Sequence, residues 1–366
     1  MADLPRRPRV PDSGRPSVRV ASDPRETRQT HDPRSVTLFY SRVYWAEAPD
    51  FDTFRKTYWI ERRLAAGAGA ARNFIRLEKP DGLDAVELEA VHTPAYLAAV
   101  ETGEPRALAA SNGLEWTHGL FAAAACSSKG LARAAVRALQ QGGVAGSLSA
   151  GLHHARADRG AGFCTFNGLA LAARAALGAR AASVLILDVD AHFGGGTWSI
   201  VSAWDRVWHA DVSVSDCDRY DPNGHPRAVV ERVTSGALYL DVVRCVLDGL
   251  SATTFDLLIY SAGMDPFEGC AVGGLHGITT TELDLREQLV FDWARAYAIP
   301  VAFALAGGYT GPTLSRDDLV NLHLLTMDAA NPERPALARN AGGRHVSDSN
   351  APEPAPGNTQ GPRGHP

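Results

Sequence analysis

The sequence predicts a three-layer α/β domain around a central, mostly parallel sheet. Three observations carry this. The runs SVLILDVD (183–190), FDLLIYSAGMD (255–265) and IPVAFALAGGY (299–309) are apolar without a break, and each ends in an acid or a glycine turn. Strands that are apolar on both faces belong to a parallel sheet covered on both sides. Helical periodicity fills the intervals at 166–178, 239–250, 280–297 and 314–327, and strand–helix alternation is how parallel strands are joined. No Pro/Gly-rich linker interrupts 36–330, so one domain is expected there. Taken in order, VTLFYS (36–41) is β-branched and aromatic and reads as the first strand. Residues 120–141 are Ala-rich, helical in period, and stop at Gly142-Gly143. Thr281-Glu282 suits a helix start.

The ends of the chain differ from its middle. Residues 1–35 hold eight Arg and five acids, residues 331–366 four Arg and three acids, and together they carry thirteen of the 22 prolines. Such stretches bury too little apolar surface to offset chain entropy, so both are expected to be disordered tails. The net charge of −5 removes any global case for nucleic-acid binding. No apolar run reaches the roughly 18–20 residues of a membrane-spanning helix. The N-terminus has Arg6-Arg7 but no apolar signal core. Five scattered cysteines without a CxxC pair speak for a reducing compartment, hence a cytoplasmic protein with no membrane or direct nucleic-acid partner.

In open parallel sheets, sites form beyond the carboxyl ends of the strands. There the sequence places Asp188 and Asp190-Ala191-His192, Asp265, and Gly307-Gly308-Tyr309. Ser149–His154 adds the adjacent His153 and His154. Asp190, His192 and Asp265 can present oxygen, nitrogen and oxygen to one ion, and an open mixed set suits catalytic zinc, which acidifies water. The histidines can transfer protons, Tyr309 can donate to a developing oxyanion, and Asp188 needs a buried partner such as an imidazole N–H. Each feature has a plain alternative. Strand-end aspartates cap helices, His153-His154 can be a surface pair, and Tyr309 a half-buried aromatic.

Taken together these segments resemble the histone deacetylase superfamily, whose α/β fold is similar to that of arginases. GLHHARADRGAGFCTFNGLALAA (151–173), LDVDAHFGGGT (187–197), IYSAGMD (259–265), LAGGY (305–309) and HTPAYLAAV (92–100) follow the family's motif order. The resemblance implies a zinc-dependent hydrolase acting on C–N bonds other than peptide bonds. It would remove an acetyl or acyl group from an acetylated protein or small molecule. It implies Asp190, His192 and Asp265 as zinc ligands, His154 as general base and acid, and His153 as its electrostatic support with Asp188 behind it. Tyr309 would polarise the carbonyl, and Gly162 and Phe163 would line the channel for an acyl-lysine stem. Tyr220, or Asp221 beside it, would stand where the family has a second channel aromatic. Ser213, or Ser215, would complete a potassium site with Asp188, Asp190 and the His192 carbonyl.

Two departures from the family pattern bear on function. Gly195 stands where the family usually has Asp or Asn bonded to the second catalytic histidine, which leaves the far nitrogen of His154 to water, a backbone carbonyl or a side chain from elsewhere and predicts a weak enzyme on ordinary acetyl-lysine. It also motivates an alternative, a pseudoenzyme that binds acetylated ligands without turnover. Val272 lies seven residues past Asp265, where polyamine-selective members can carry an acid, and this argues against acetylpolyamines. A ureohydrolase with two manganese ions is a third reading, and it would want additional bridging ligands.

Overall fold

The computed structural model describes residues 34–67, 73–80 and 85–337. Of the expected tails at 1–35 and 331–366, residues 1–33 and 338–366 lie outside the described residues. The described residues form one compact unit. Its first half contains β1 (Val36–Phe39), α1 (Asp52–Ala65), β2 (Ile75–Glu78), α2 (Ala85–Glu89), α3 (Pro94–Thr102), α4 (Arg106–Ala109), α5 (Leu120–Gln141), β3 (Val144–Ser147) and α6 (Gly168–Gly178). Its second half contains β4 (Val184–Asp188), α7 (Gly195–Val201), β5 (Val207–Ser213), β6 (Ala228–Arg232), α8 (Tyr239–Leu250), β7 (Leu257–Ser261), α9 (Thr280–Ala296), β8 (Val301–Ala304) and α10 (Arg316–Ala329).

The eight strands form a single sheet in the order β2-β1-β3-β8-β7-β4-β5-β6, and every pairing is parallel. Alternate residues of each central strand enter different cores. Val184, Ile186, Leu257 and Ile259 pack with α5 and α6, whereas Leu185, Leu187, Leu258 and Tyr260 pack with α8, α9 and α10. That two-sided burial is why these strands read as unbroken apolar runs.

The strands that the sequence pattern does not reveal have physical reasons for being hidden. β3 reads VAGS because Gly146 is crowded: a Cβ there would lie 2.5 Å from Phe303 and 2.7 Å from Leu38. β5 carries His209, Asp211 and Ser213 on one face, all buried, so its alternation is masked by polar residues turned inward. α9 starts at Thr280, where the 280–297 pattern places it, and the Thr281-Glu282 signature lies inside its first turn. Thr279 is the N-cap, and it exchanges hydrogen bonds with Glu282 in a capping box. Residues 331–337, polar enough to read as tail, continue along α9: Arg334 pairs with Asp284 at 3.2 Å, and the Leu337 amide donates to Asp292 at 2.8 Å.

Four adjacent central strands, β3, β8, β7 and β4, end at the same edge of the sheet. The segments that leave them carry His153-His154, Gly307–Tyr309, Asp265, and Asp188–His192 respectively.

Candidate active site

Asp190, His192 and Asp265 bring one ligand atom each within 4.8 Å of one another; both aspartates are buried and His192 is partly so. Backbone donors fix the carboxylates. Asp190 Oδ2 accepts from the Gly307 amide at 2.7 Å, and Asp265 Oδ1 accepts from the Ala191 amide at 3.0 Å. Both Asp190 Oδ1 and Asp265 Oδ2 lie 3.1 Å from His192 Nδ1. Asp265 Oδ2 is nevertheless buried without a hydrogen-bond partner. Burial and the neighbouring Asp190 charge push Asp265 up to about 6. A buried orphan oxygen beside a second carboxylate and an imidazole fits a divalent cation, and zinc is the metal suited to that donor set. Gly307 keeps the cluster open: a Cβ there would sit 2.2 Å from Asp265 Oδ2 and 2.4 Å from Asp190 Oδ2.

Two His–Asp pairs stand beside this cluster. His153 Nδ1 donates to Asp188 Oδ2 at 2.8 Å, and its Nε2 lies 3.6 Å from Asp190 Oδ1. Burial opposes a charge on His153, but Asp188 and Asp190 outweigh it and hold the imidazole up to about 10. His154 Nδ1 donates to Asp218 Oδ2 at 3.0 Å. A carboxylate can only accept, so Nδ1 carries the proton and Nε2 is left as the acceptor. Burial, and then the charge of His153, lower the His154 pKa, with Asp218 acting against them. The two imidazoles therefore differ: one is biased towards the cation, the other towards the neutral base.

The Asp218 contact supplies the support that Gly195 cannot. His154 has a carboxylate on its far nitrogen, supplied from the loop after β5 instead of from the motif itself. Asp218 was hidden in SDCDRYD, where three acids stand within seven residues and no spacing marks one of them as the partner of His154. Burial works against its charge, but His154, Arg156 and the Gly196 amide hold it below the usual carboxylate range.

Tyr309 is buried and lines one small cavity with Gly151, His153, Cys164, Asp190 and Gly307. The turn that presents it is pinned from α1, which the sequence left unassigned. Lys56 Nζ, wholly buried, donates to the carbonyls of Ala306 and Gly308 and sits 5.4 Å from the Tyr309 ring centroid. Asp52 Oδ2 accepts from both the amide and the hydroxyl of Thr310 at 2.6 Å. Gly162 packs on the His154 ring, where a Cβ would lie 2.2 Å from Cδ2. Phe163 follows with φ +65, rare for a bulky residue, and its amide is tied to the Asn112 carbonyl at 2.8 Å.

Tyr220 is not the ring that packs against Phe163. Phe51 is, at 4.6 Å between centroids, and it also reaches Tyr309 at 5.8 Å. Tyr220 instead stacks on Trp198 and His209, and its hydroxyl hydrogen-bonds His209 Nδ1 at 2.7 Å. Asp221 accepts the Asn223 amide within its own loop at 2.8 Å. Ser213 does not join Asp188 either. Its hydroxyl donates to the Ala191 carbonyl at 2.6 Å and lies 2.9 Å from that of Ser215. The residue beside Asp188 across the β4–β5 pair is Asp211, whose Oδ2 accepts from the Gly194 amide at 2.7 Å. The contacts of Ser213 and Ser215 thus give no support to the expected potassium site.

His92, in the HTPAYL segment, is a structural tie. Its Nε2 accepts from the Asn167 amide at 2.9 Å, so Nδ1 donates to the Arg156 carbonyl at 3.0 Å. Burial lowers it to about 4. Below pH 6.5 the unfolded chain takes up a proton that folded His92 refuses until about pH 4. Its contribution to stability, about 3 kcal/mol in full, is lost as the pH falls through that window. Urea midpoints are expected to drop from pH 7 to pH 5, and His92→Gln to flatten that slope. An unchanged slope in the variant would remove His92 as its source.

An all-parallel α/β sheet thus assembles, at the ends of its central strands, a carboxylate–imidazole cluster that could hold a metal ion beside two His–Asp pairs. The histone deacetylase domain model matches residues 54–324, and the chain belongs to that family. It is 33% identical to an uncharacterised protein of Picosynechococcus sp. over 69% of this chain and 84% of that one. It is 30% identical to Histone deacetylase 2 of Arabidopsis thaliana over 52% of this chain and 51% of that protein, so it spans about half that relative's length. Among solved structures, the HD domain of HDA15 superposes with a TM-score of 0.69 at 20% identity, covering 83% of this chain and 92% of that one. The acetylpolyamine aminohydrolase of Burkholderia pseudomallei superposes with a TM-score of 0.65 at 21% identity, covering 81% and 98%.

Proposed function

We propose that this protein is a zinc-dependent deacylase that cleaves an acetyl or short acyl group from an amide nitrogen, with acetyl-lysine-like compounds as its substrates. The observation that carries the reading is the placement of Asp190, His192 and Asp265 together beside His154 and Tyr309. Those three residues would hold the zinc ion, which when bound supplies Lewis acidity to the carbonyl and to water. His154 Nε2 takes the proton of the attacking water and delivers it to the leaving amine. His153, charged by its two aspartates, stabilises the negative charge that develops nearby. The Tyr309 hydroxyl donates to the oxyanion. Phe163, Phe51 and Gly162 form the narrow approach to His154 and Tyr309.

The pseudoenzyme reading drew its force from Gly195, and Asp218 on His154 removes that ground. A two-manganese ureohydrolase would need a larger ligand set, and among the described residues one group of three metal-capable side chains is found. For the substrate, Val272 is 37% exposed, next to Gly273, which abuts His192. The nearby acid Glu268 is taken up by the Gly277 amide at 2.9 Å and by His276 at 3.1 Å. An apolar rim with its acid engaged disfavours a second ammonium group. Zinc-loaded protein should therefore turn over acetyl-lysine peptides or neutral N-acyl amines in preference to acetylspermidine. A kcat/KM for acetylspermidine about tenfold higher, about 1.4 kcal/mol of transition-state binding, would overturn the substrate assignment. Absence of turnover on any acylated amine would overturn the enzymatic one.

A further inference from the structure

We infer that Asp218 is the positioning residue for His154, that Gly195 is the space it requires, and that Arg156 is its clamp. The inference rests on His154 being the base of the proposed reaction. Its geometry stands independently. Asp218 Oδ2 accepts from His154 Nδ1 and from the Gly196 amide, both at 3.0 Å. Asp218 Oδ1 pairs with the Arg156 guanidinium, whose other nitrogen donates to the Gly195 carbonyl at 3.0 Å. Both carboxylate oxygens are thus engaged, and the Asp218 side chain is 13% exposed. A Cβ at 195 would lie 2.3 Å from the Asp218 carbonyl oxygen and 2.8 Å from Oδ1. A carboxylate on residue 195 and the carboxylate of Asp218 therefore exclude each other. Asp218 itself has φ +56, a left-handed conformation that Asp tolerates better than most residues and that turns its side chain back towards His154.

This reverses the meaning of the departure in the Gly194-Gly195-Gly196 turn. The acid has been moved, not lost. It now arrives on the loop following β5, outside the stretch that binds the ion, and it is braced by Arg156, two residues from the base it serves. A carboxylate on the far nitrogen selects the tautomer with Nε2 free and fixes the plane of the ring.

The test pairs kinetics with a reading of His154 itself. The Nδ1 proton should give a downfield proton resonance, assigned by its loss in His154→Gln and readable without turnover or metal. In Asp218→Asn, which keeps the side-chain shape, kcat is expected to fall by at least roughly tenfold with KM and melting temperature little changed, and the resonance to move upfield. Gly195→Ala should shift the same resonance by displacing Asp218. Retention of the resonance and of kcat within about twofold in Asp218→Asn and Asp218→Ala would overturn the inference. An inactive wild type that shows the Asp218-dependent resonance would instead count against the proposed reaction and leave the positioning intact.

Discussion

Asp190→Ala is expected to abolish both zinc retention and turnover, the latter by at least about three orders of magnitude, about 4 kcal/mol of barrier. Three losses coincide at this residue. One ligand oxygen disappears, His153 and His192 lose a counter-charge at 3.6 and 3.1 Å, and the Gly307 amide loses its acceptor. The last loss extends to Tyr309, because Gly307 belongs to the turn that presents it. Asp190→Asn separates these effects. Its amide oxygen can still accept from Gly307 and hold the turn, while the weaker, neutral donor should cost most of the zinc. Elemental analysis after dialysis against zinc, alongside melting curves, checks this. Stoichiometric zinc in Asp190→Ala would sink the ligand assignment.

The largest stability effect is expected at Arg286, on the buried side of α9. Its guanidinium is completely buried and donates to the Gly263 carbonyl at 2.8 Å, the Val189 carbonyl at 3.3 Å and the Tyr239 hydroxyl at 3.0 Å. It is neutralised by Glu287, whose Oε1 also accepts from Tyr260 at 2.8 Å. Val189 precedes Asp190 and Gly263 lies two residues before Asp265, so this one side chain ties together the two backbone segments that carry the proposed ligands. Arg286→Met leaves Glu287 as an unpaired buried charge and two carbonyls without a donor, which should cost about 3–5 kcal/mol. Arg286→Met/Glu287→Leu should recover part of that loss, since removing both charges removes the stranded one. Urea unfolding measures both variants. A loss under about 1 kcal/mol in the single variant would mean that the pair bears little weight.

Much of this protein was legible along the chain. Local periodicity marked α5 and α8 at their observed ends, and the two-sided apolar runs marked β4, β7 and β8, because burial on both faces leaves no polar alternation. The motif spacings brought forward Asp190, His192, Asp265, His153, His154 and Tyr309, which the fold gathers at one edge of the sheet because β3, β8, β7 and β4 are neighbours. What stayed hidden depends on contacts between distant segments. Lys56 and Arg286 belong to no motif along the chain, although Arg286 shares a helix stripe with the buried Leu283 and Val290, which is a readable warning. Phe51 and Tyr220 are both aromatics in loops, and only packing decides which one meets Phe163. Asp218 is the clearest case. Sequence alone shows a glycine where an acid is expected and a loop rich in acids further on. Whether one of those acids returns to His154 depends on the path of a loop anchored to a different strand, and hydrogen-bond geometry of that kind is set by tertiary structure, not by spacing along the chain.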